Sequence, residues 1–254
     1  MSWLLNAWAW TAAVLSVLVG FLYVAVVFVF TAPFDRGRYA AGRAFRRLAV
    51  LSVKANPLWD FHSEGRVADP RRPYVAVSNH ESYADIFLIS HFPWEMKWLS
   101  KDTIFKIPVM GWMMKMAGDI PLVRGDRRSG ALALREARDR LAKRVSVMIF
   151  PEGTRSRGTE LLPFKDGAFR LAIEAQVPVL PIAVAGTRHC MAKHSFRFRR
   201  ARAIARVLPA VETAGMTLEE VPVLRDRVRD IIDRGRRELW RDLGITPGDE
   251  RDDD

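Results

Sequence analysis

The sequence predicts an α/β fold: a mostly parallel central sheet flanked by helices, preceded by an N-terminal hydrophobic membrane-anchoring helix pair. Three observations predict it. From Tyr74 onward, short apolar β-rich runs alternate with helical patterns, the rhythm of α/β layers around a largely parallel sheet. From Ser2 to Phe34 no side chain is charged, and a cluster of arginines follows at once. Polar and cationic residues fall just past several strand-like runs, where open α/β sheets gather their ligands.

The 254 residues suffice for one good-sized core, or for one domain with an appendage. Hydrophobic residues make up 49% and charged residues 27%, so most of the chain is expected to fold. The formal net charge of +11 favours an anionic partner: phosphate, nucleic acid, an anionic membrane or an acidic protein. A single cysteine, Cys190, excludes an intramolecular disulfide and fits a reducing compartment.

Residues 1–60 are expected to form the anchor. Residues 7–30 are almost wholly apolar; as a helix they would run roughly 36 Å, against a hydrocarbon core of about 30 Å. Trp3, Trp8 and Trp10 cluster at one end, where indoles favour the membrane interface. No basic segment precedes the run and Pro33 follows it, which argues against a signal peptide. An uncharged run of this length also argues against a buried soluble helix. Arg36, Arg38, Arg43, Arg46, Arg47 and Lys54 come next. By the positive-inside rule this flank, and everything after it, stays on the cytoplasmic side of the membrane. Tyr39, Phe45, Leu48 and Leu51 interleave with those charges, predicting an amphipathic helix over 35–55 that lies on the membrane. The spacing leaves open whether the first helix spans the bilayer or dips in and returns.

A folded domain is expected over 61–215, after the punctuation of Asn56-Pro57 and the prolines at 70 and 73. Residues 74–78 read as a buried strand, 84–91 as a helix and 96–99 as a strand. Residues 103–116 are helix-like but broken by Pro108 and Gly111, and 120–123 are strand-like. Leu134, Ala137 and Leu141 mark a helix over 130–143, followed by a strand at 145–150, a helix at 167–175 and a strand at 179–185. Val221, Leu224, Val228 and Ile232 mark a C-terminal amphipathic helix within 216–246, and 247–254 read as an acidic disordered tail.

The chemistry-bearing residues cluster at strand exits. Asn79-His80 follows the first run, and Asp85 stands five residues after His80. A histidine held by a carboxylate is a general base that works near neutral pH. Ser82-x-x-Asp85 before an apolar helix also reads as a capping box. Both readings are compatible, since an aspartate in the first helical turn can face the incoming loop. Pro151-Glu152-Gly153-Thr154-Arg155-Ser156 follows the strand at 145–150. Its glycine permits close backbone approach, and Arg155 offers a planar fork suited to phosphate. Lys101 and Arg124 add cations after two further strand-like runs. Cys190, His189 and His194 could suggest a metal site, but no other ligand cluster supports one, and no metal is expected. The Arg-rich stretch at 197–206 raises a remote alternative, a membrane-tethered nucleic-acid-binding protein. No zinc-finger or RNP-type motif supports it.

Taken together, Asn79-His80-x4-Asp85, Ile120-Pro121-Leu122-Val123-Arg124, Phe150-Pro151-Glu152-Gly153-Thr154-Arg155-Ser156 and Val177-Pro178-Val179-Leu180-Pro181-Ile182 resemble the four ordered blocks of the glycerolipid acyltransferases. The pattern is similar in particular to the bacterial 1-acylglycerol-3-phosphate acyltransferases, and covers roughly residues 73–187. The apolar helix followed by a basic amphipathic one is similar to that family's membrane-anchoring helix pair. The resemblance implies an acyltransferase catalytic domain that moves an acyl chain from a thioester to lysophosphatidic acid, making phosphatidic acid for phospholipid synthesis. His80 would be the base and Asp85 its orienting partner. Arg124, Arg155 and Lys101 would bind the acceptor's phosphate. Asn79, Glu152, Gly153 and Thr154 would shape the acceptor site. The resemblance implies no cofactor: acyl-CoA or acyl carrier protein would be a co-substrate, and membrane lipids rather than nucleic acid the partner. It places the enzyme on the inner membrane, facing the cytoplasm. Another lysophospholipid or a lyso-aminolipid is the alternative acceptor.

Overall fold

The computed structural model describes residues 2–156, 158–190 and 197–246. The expected acidic tail and His194 lie outside the described residues. Seven strands form one sheet in the order β1-β7-β6-β2-β5-β3-β4. They are β1 (Trp59–Glu64), β2 (Val75–Ser78), β3 (Met96–Lys101), β4 (Ile120–Leu122), β5 (Ser146–Ile149), β6 (Val179–Ala185) and β7 (Ala201–Val207). Strands β6, β2, β5, β3 and β4 are mutually parallel, as the alternation of strands and helices predicts. Among the described strands only the β6–β7 pairing is antiparallel, and an isolated antiparallel bridge joins Val179 to Val211.

The central strands β2, β5 and β6 are buried along their whole length, on both faces of the sheet. Val75 and Val77 of β2 join Val147, Ile149 and Val179 on one face. Ala76 joins Met148, Leu180, Ile182 and Val184 on the other, the period of two expected of a strand. The first face is covered by α5 (Arg127–Ala142), α6 (Gly167–Ala175) and α7 (Val221–Leu243). The second is covered by α3 (Ala84–Ile89), the Phe92–Trp94 stack and Trp98.

In front stand α1 (Ser2–Thr31), α2 (Tyr39–Ala55) and α4 (Met110–Ala117). Helix α1 is long and apolar enough to cross a membrane, and most of its apolar surface is exposed. It packs on α2, where Gly20 admits the Leu48 side chain. Near its N-terminus, Asn6 Oδ1 accepts from the Phe198 amide (2.7 Å), and Trp10 lies on the Phe198 ring (centroids 5.1 Å apart).

Three features depart from the sequence expectation. Strand β1, for which the sequence reading named no element, crosses the expected boundary at residue 60. The basic run near residue 200 leads into β7, which is an interior strand because β1 pairs on its outer side. Arg46, expected on a membrane-facing basic surface, is buried and donates to Asp119 from α2. Arg43 likewise turns inward, donating to the carbonyls of Phe92 (2.9 Å) and Trp94 (3.2 Å).

Candidate active site

Strand β2 lies between β6 and β5, and its exit carries Asn79 and His80. The Asn79 amide pairs with the backbone of Val184 in β6, accepting from N (2.9 Å) and donating to O (2.9 Å). Asn79 therefore fixes the strand exit, and its side chain is already committed to backbone. The His80 amide donates to Glu152 Oε1 (2.8 Å), and the His80 carbonyl accepts from the Ser156 amide (2.8 Å). The loops leaving β2 and β5 are thus joined through the His80 backbone, by one bond to a side chain and one to main chain.

The His80 side chain is 7% exposed and stacks on Phe150 at 4.0 Å between centroids. Its Nδ1 lies 2.7 Å from Asp85 Oδ2. A carboxylate can only accept here, so Nδ1 carries a proton, and in the neutral ring Nε2 keeps its lone pair. Among the described residues Nε2 has no hydrogen-bond partner. Asp85 sits in the first turn of α3, and its Oδ2 also accepts from the amides of Glu81 (2.8 Å) and Ser82 (3.1 Å). The reciprocal half of the expected capping box is absent: Ser82 Oγ accepts from the Ala84 amide instead (3.2 Å). A six-residue helix begins at Ala84, which moves Asp85 to its second position and turns its carboxylate back onto the His80 loop.

Glu152 is buried, and its two oxygens hold the His80 amide and the Leu162 amide (2.9 Å). It ties the loop after β5 to the dyad. Burial pushes its carboxyl up, while those two amide bonds oppose the shift. Gly153 adopts φ 73°, and a Cβ there would stand 2.6 Å from Lys165 Nζ. Thr154 and Arg155 are exposed, and the Arg155 guanidinium lies 4.0 Å over the Tyr83 ring, beside the His80 loop.

Lys101 and Arg124 are exposed at the same end of the sheet, Lys101 pairing in register with Leu122. They are not gathered as tightly as Arg155. Strand β3 is two places from β2 and β4 three places, so at ~4.8 Å per strand they stand ~10 and ~14 Å along the rim. Lys165, close to Gly153, is a nearer cation that the motif spacing did not single out.

Four further groups surround the dyad: Glu81, Thr187, Arg188 and Arg236. Thr187 and Arg188 follow β6 and Arg236 comes from α7, so no local spacing links them to His80. Arg188 donates to the Gly158 carbonyl (2.6 Å) and buried Arg236 to that of Thr159, holding the loop after β5 from behind. Cys190 is buried, and desolvation with Asp85 and Glu81 nearby pushes its thiol far above its ordinary range, so it is an unreactive packing residue. Among the described residues no group of three or more His, Cys, Asp or Glu could hold a metal ion.

Comparison with known proteins gives this geometry a family. Residues 60–185 match the acyltransferase family model. The human 1-acyl-sn-glycerol-3-phosphate acyltransferase alpha is 36% identical over 199 residues, 76% of this chain and 70% of that protein. A chloroplastic 1-acyl-sn-glycerol-3-phosphate acyltransferase of Brassica napus is 39% identical over 163 residues, 64% of this chain and 47% of that protein. The crystal structure of the 1-acyl-sn-glycerophosphate acyltransferase from Thermotoga maritima superposes with a TM-score of 0.77 at 27% identity, covering 94% of this chain and 95% of that one. The chain belongs to the acyltransferase family, and is an enzyme of the 1-acylglycerol-3-phosphate O-acyltransferase type.

Proposed function

We propose that this enzyme transfers an acyl chain from a thioester, acyl-CoA or acyl carrier protein, to the sn-2 hydroxyl of 1-acyl-sn-glycerol-3-phosphate. The product is phosphatidic acid. The observation that carries the mechanism is the 2.7 Å contact between His80 Nδ1 and Asp85 Oδ2, which leaves Nε2 unpartnered. Nε2 takes the proton of the acceptor hydroxyl as its oxygen attacks the thioester carbonyl. The new C–O bond forms, the C–S bond breaks, and the leaving thiolate takes that proton from the imidazolium. Asp85 holds the ring and stabilises its charged form. Attack is direct, so no enzyme nucleophile is used.

Arg155 is the primary phosphate ligand in this reading, because its place over Tyr83 sets it beside the base. Lys165 supports it, and Lys101 and Arg124 draw anionic lipid along the rim. Asn79 and Glu152 act by fixing the two loops, and Gly153 and Thr154 line the acceptor's path. The exposed apolar face of α1 holds the enzyme on the cytoplasmic membrane, with the catalytic domain on the cytoplasmic side.

Purified enzyme assayed with lysophosphatidic acid and an acyl thioester tests the proposal. His80→Ala is expected to lose ~10²–10⁴-fold in kcat. Arg155→Ala is expected to raise KM for the lysolipid more than it lowers kcat. Undiminished turnover by His80→Ala would sink the base assignment. Equal use of a phosphate-free lysolipid would sink the phosphate assignment.

A further inference from the structure

Beneath the dyad lies a second buried carboxyl group that the proposed chemistry does not use. Glu81 follows His80 directly, and its side chain turns into the pocket that holds Asp85. The two carboxyl groups meet at one hydroxyl. Thr187 Oγ1, fully buried, makes a short hydrogen bond to Asp85 Oδ1 and lies 3.4 Å from Glu81 Oε2. A threonine hydroxyl has a single proton to donate. Asp85 is the nearer of the two acceptors and takes that proton. Asp85 Oδ2 already accepts from His80 Nδ1 and two backbone amides, so Asp85 is the charged acceptor of the set. The Thr187 oxygen then faces Glu81 with lone pairs only. An ionised Glu81 would set its own lone pairs against them, beside a second buried anion.

We propose that Glu81 works as a neutral carboxylic acid that donates to Thr187, which donates to Asp85, so that a three-member relay holds Asp85 against His80. Glu81 is a positioning residue in this scheme and touches no substrate. The proposal rests on the reading of His80 as the base.

The surroundings favour the neutral form. Burial and the nearby Asp85 raise the Glu81 carboxyl from 4.5 to about 7, although Arg188 and Arg236 oppose the shift. The titratable and charged groups facing it are His80 on its own loop, Asp85 on α3, Arg188 and Cys190 after β6, and Arg236 on α7.

The test uses full-length enzyme with lysophosphatidic acid and an acyl thioester, and compares pH profiles of kcat. The wild-type rate is expected to fall on the alkaline side as Glu81 gives up its proton. Glu81→Gln keeps an N–H donor toward Thr187 and has no proton to lose, so its rate holds beyond that point. Glu81→Ala is expected to lower kcat about tenfold with KM for the lysolipid unchanged, the scale of one lost hydrogen bond in a charged network. Glutamine restores that loss. Thr187→Val, which removes both links, is expected to cost at least as much as Glu81→Ala, and adding Glu81→Ala to it to cost nothing further. A Glu81→Gln profile that overlays the wild type would overturn the relay, as would a loss in Glu81→Gln equal to that in Glu81→Ala. Independent, multiplying losses in the Thr187→Val pair would overturn it too. His80→Ala, run alongside, separates the outcomes: if it stays active, the base assignment has failed rather than the relay alone.

Discussion

At the scale of single residues, Glu81 ties protonation to stability with a definite sign. Its carboxyl is raised from 4.5 to about 7 in the folded protein, so between those values the folded state binds more protons than the unfolded one. Stability attributable to Glu81 therefore falls as pH rises through that window, and is fully present below it. The shift corresponds to ~3 kcal/mol across the whole window. Glu81→Gln removes the titration and keeps the packing. Thermal unfolding is expected to show this variant gaining on wild type between pH 5 and pH 7.5, by an amount approaching that figure. Parallel curves for the two proteins across that range would show that Glu81 ionises without cost. The dyad itself was legible because His80 and Asp85 are five residues apart and the strand exit is local. Thr187 was not, because it stands 102 residues from Asp85 and meets it only through the sheet order β6-β2.

At the scale of elements, the joint between α2 and the sheet is ionic and buried. Arg46 on α2 donates to Asp119, which also accepts from the Trp98 amide of β3 (3.0 Å). Lys97 Nζ donates to Glu95 (3.1 Å) and to the Arg38 carbonyl at the start of α2 (2.7 Å). Gly42 lets this cluster approach, since a Cβ there would collide with Glu95 and Lys97. A buried pair is not itself strong evidence of stability, but losing one partner leaves an uncompensated charge. Arg46→Met is therefore expected to cost ~3–5 kcal/mol. Arg46→Met with Asp119→Asn should recover part of that loss, because the orphaned charge is gone while the Trp98 amide keeps its acceptor. Chemical denaturation of the single and double variants measures this, and simple additivity would exclude it. The same joint explains one misreading of the sequence. Interleaved arginines and apolar residues mark an amphipathic helix, but periodicity does not reveal that Arg43 and Arg46 point inward. Strands β2, β5 and β6 were legible as apolar runs because both their faces are covered. Strand β1 was not, because only Trp59 and Phe61 face the core while Asp60, His62 and Ser63 are exposed.

At the scale of the whole molecule, the two ends of α1 reach opposite ends of the sheet in the same catalytic domain. Near its N-terminus, Asn6 and Trp10 grip Phe198, and the Trp8 indole donates to the Ala55 carbonyl at the end of α2 (3.0 Å). Phe198 stands three residues before the start of β7, whose antiparallel course starts it beside the end of β6, at the active-site side. After α1, Gly37 packs against Val145 at the opposite end, just before β5 begins. A 30-residue helix spans ~45 Å, so α1 runs alongside the domain rather than projecting from it. Its outward side carries exposed Trp3, Trp8, Leu15, Leu18, Val19, Leu22, Val26 and Phe30 along the whole length. A helix crossing the bilayer would carry one end away from the domain and break the Asn6 and Trp8 bonds. The contacts instead favour an anchor held in one leaflet with both ends on the domain's side. Single cysteines placed at Trp3 and at Phe34, in a Cys190→Ala background, test this in sealed vesicles with a membrane-impermeant thiol reagent. Both are expected to react from the side that exposes the catalytic domain. Reaction of the Trp3 position only from the opposite side would establish a spanning helix, and would mean that the Asn6–Phe198 contact is absent in the membrane.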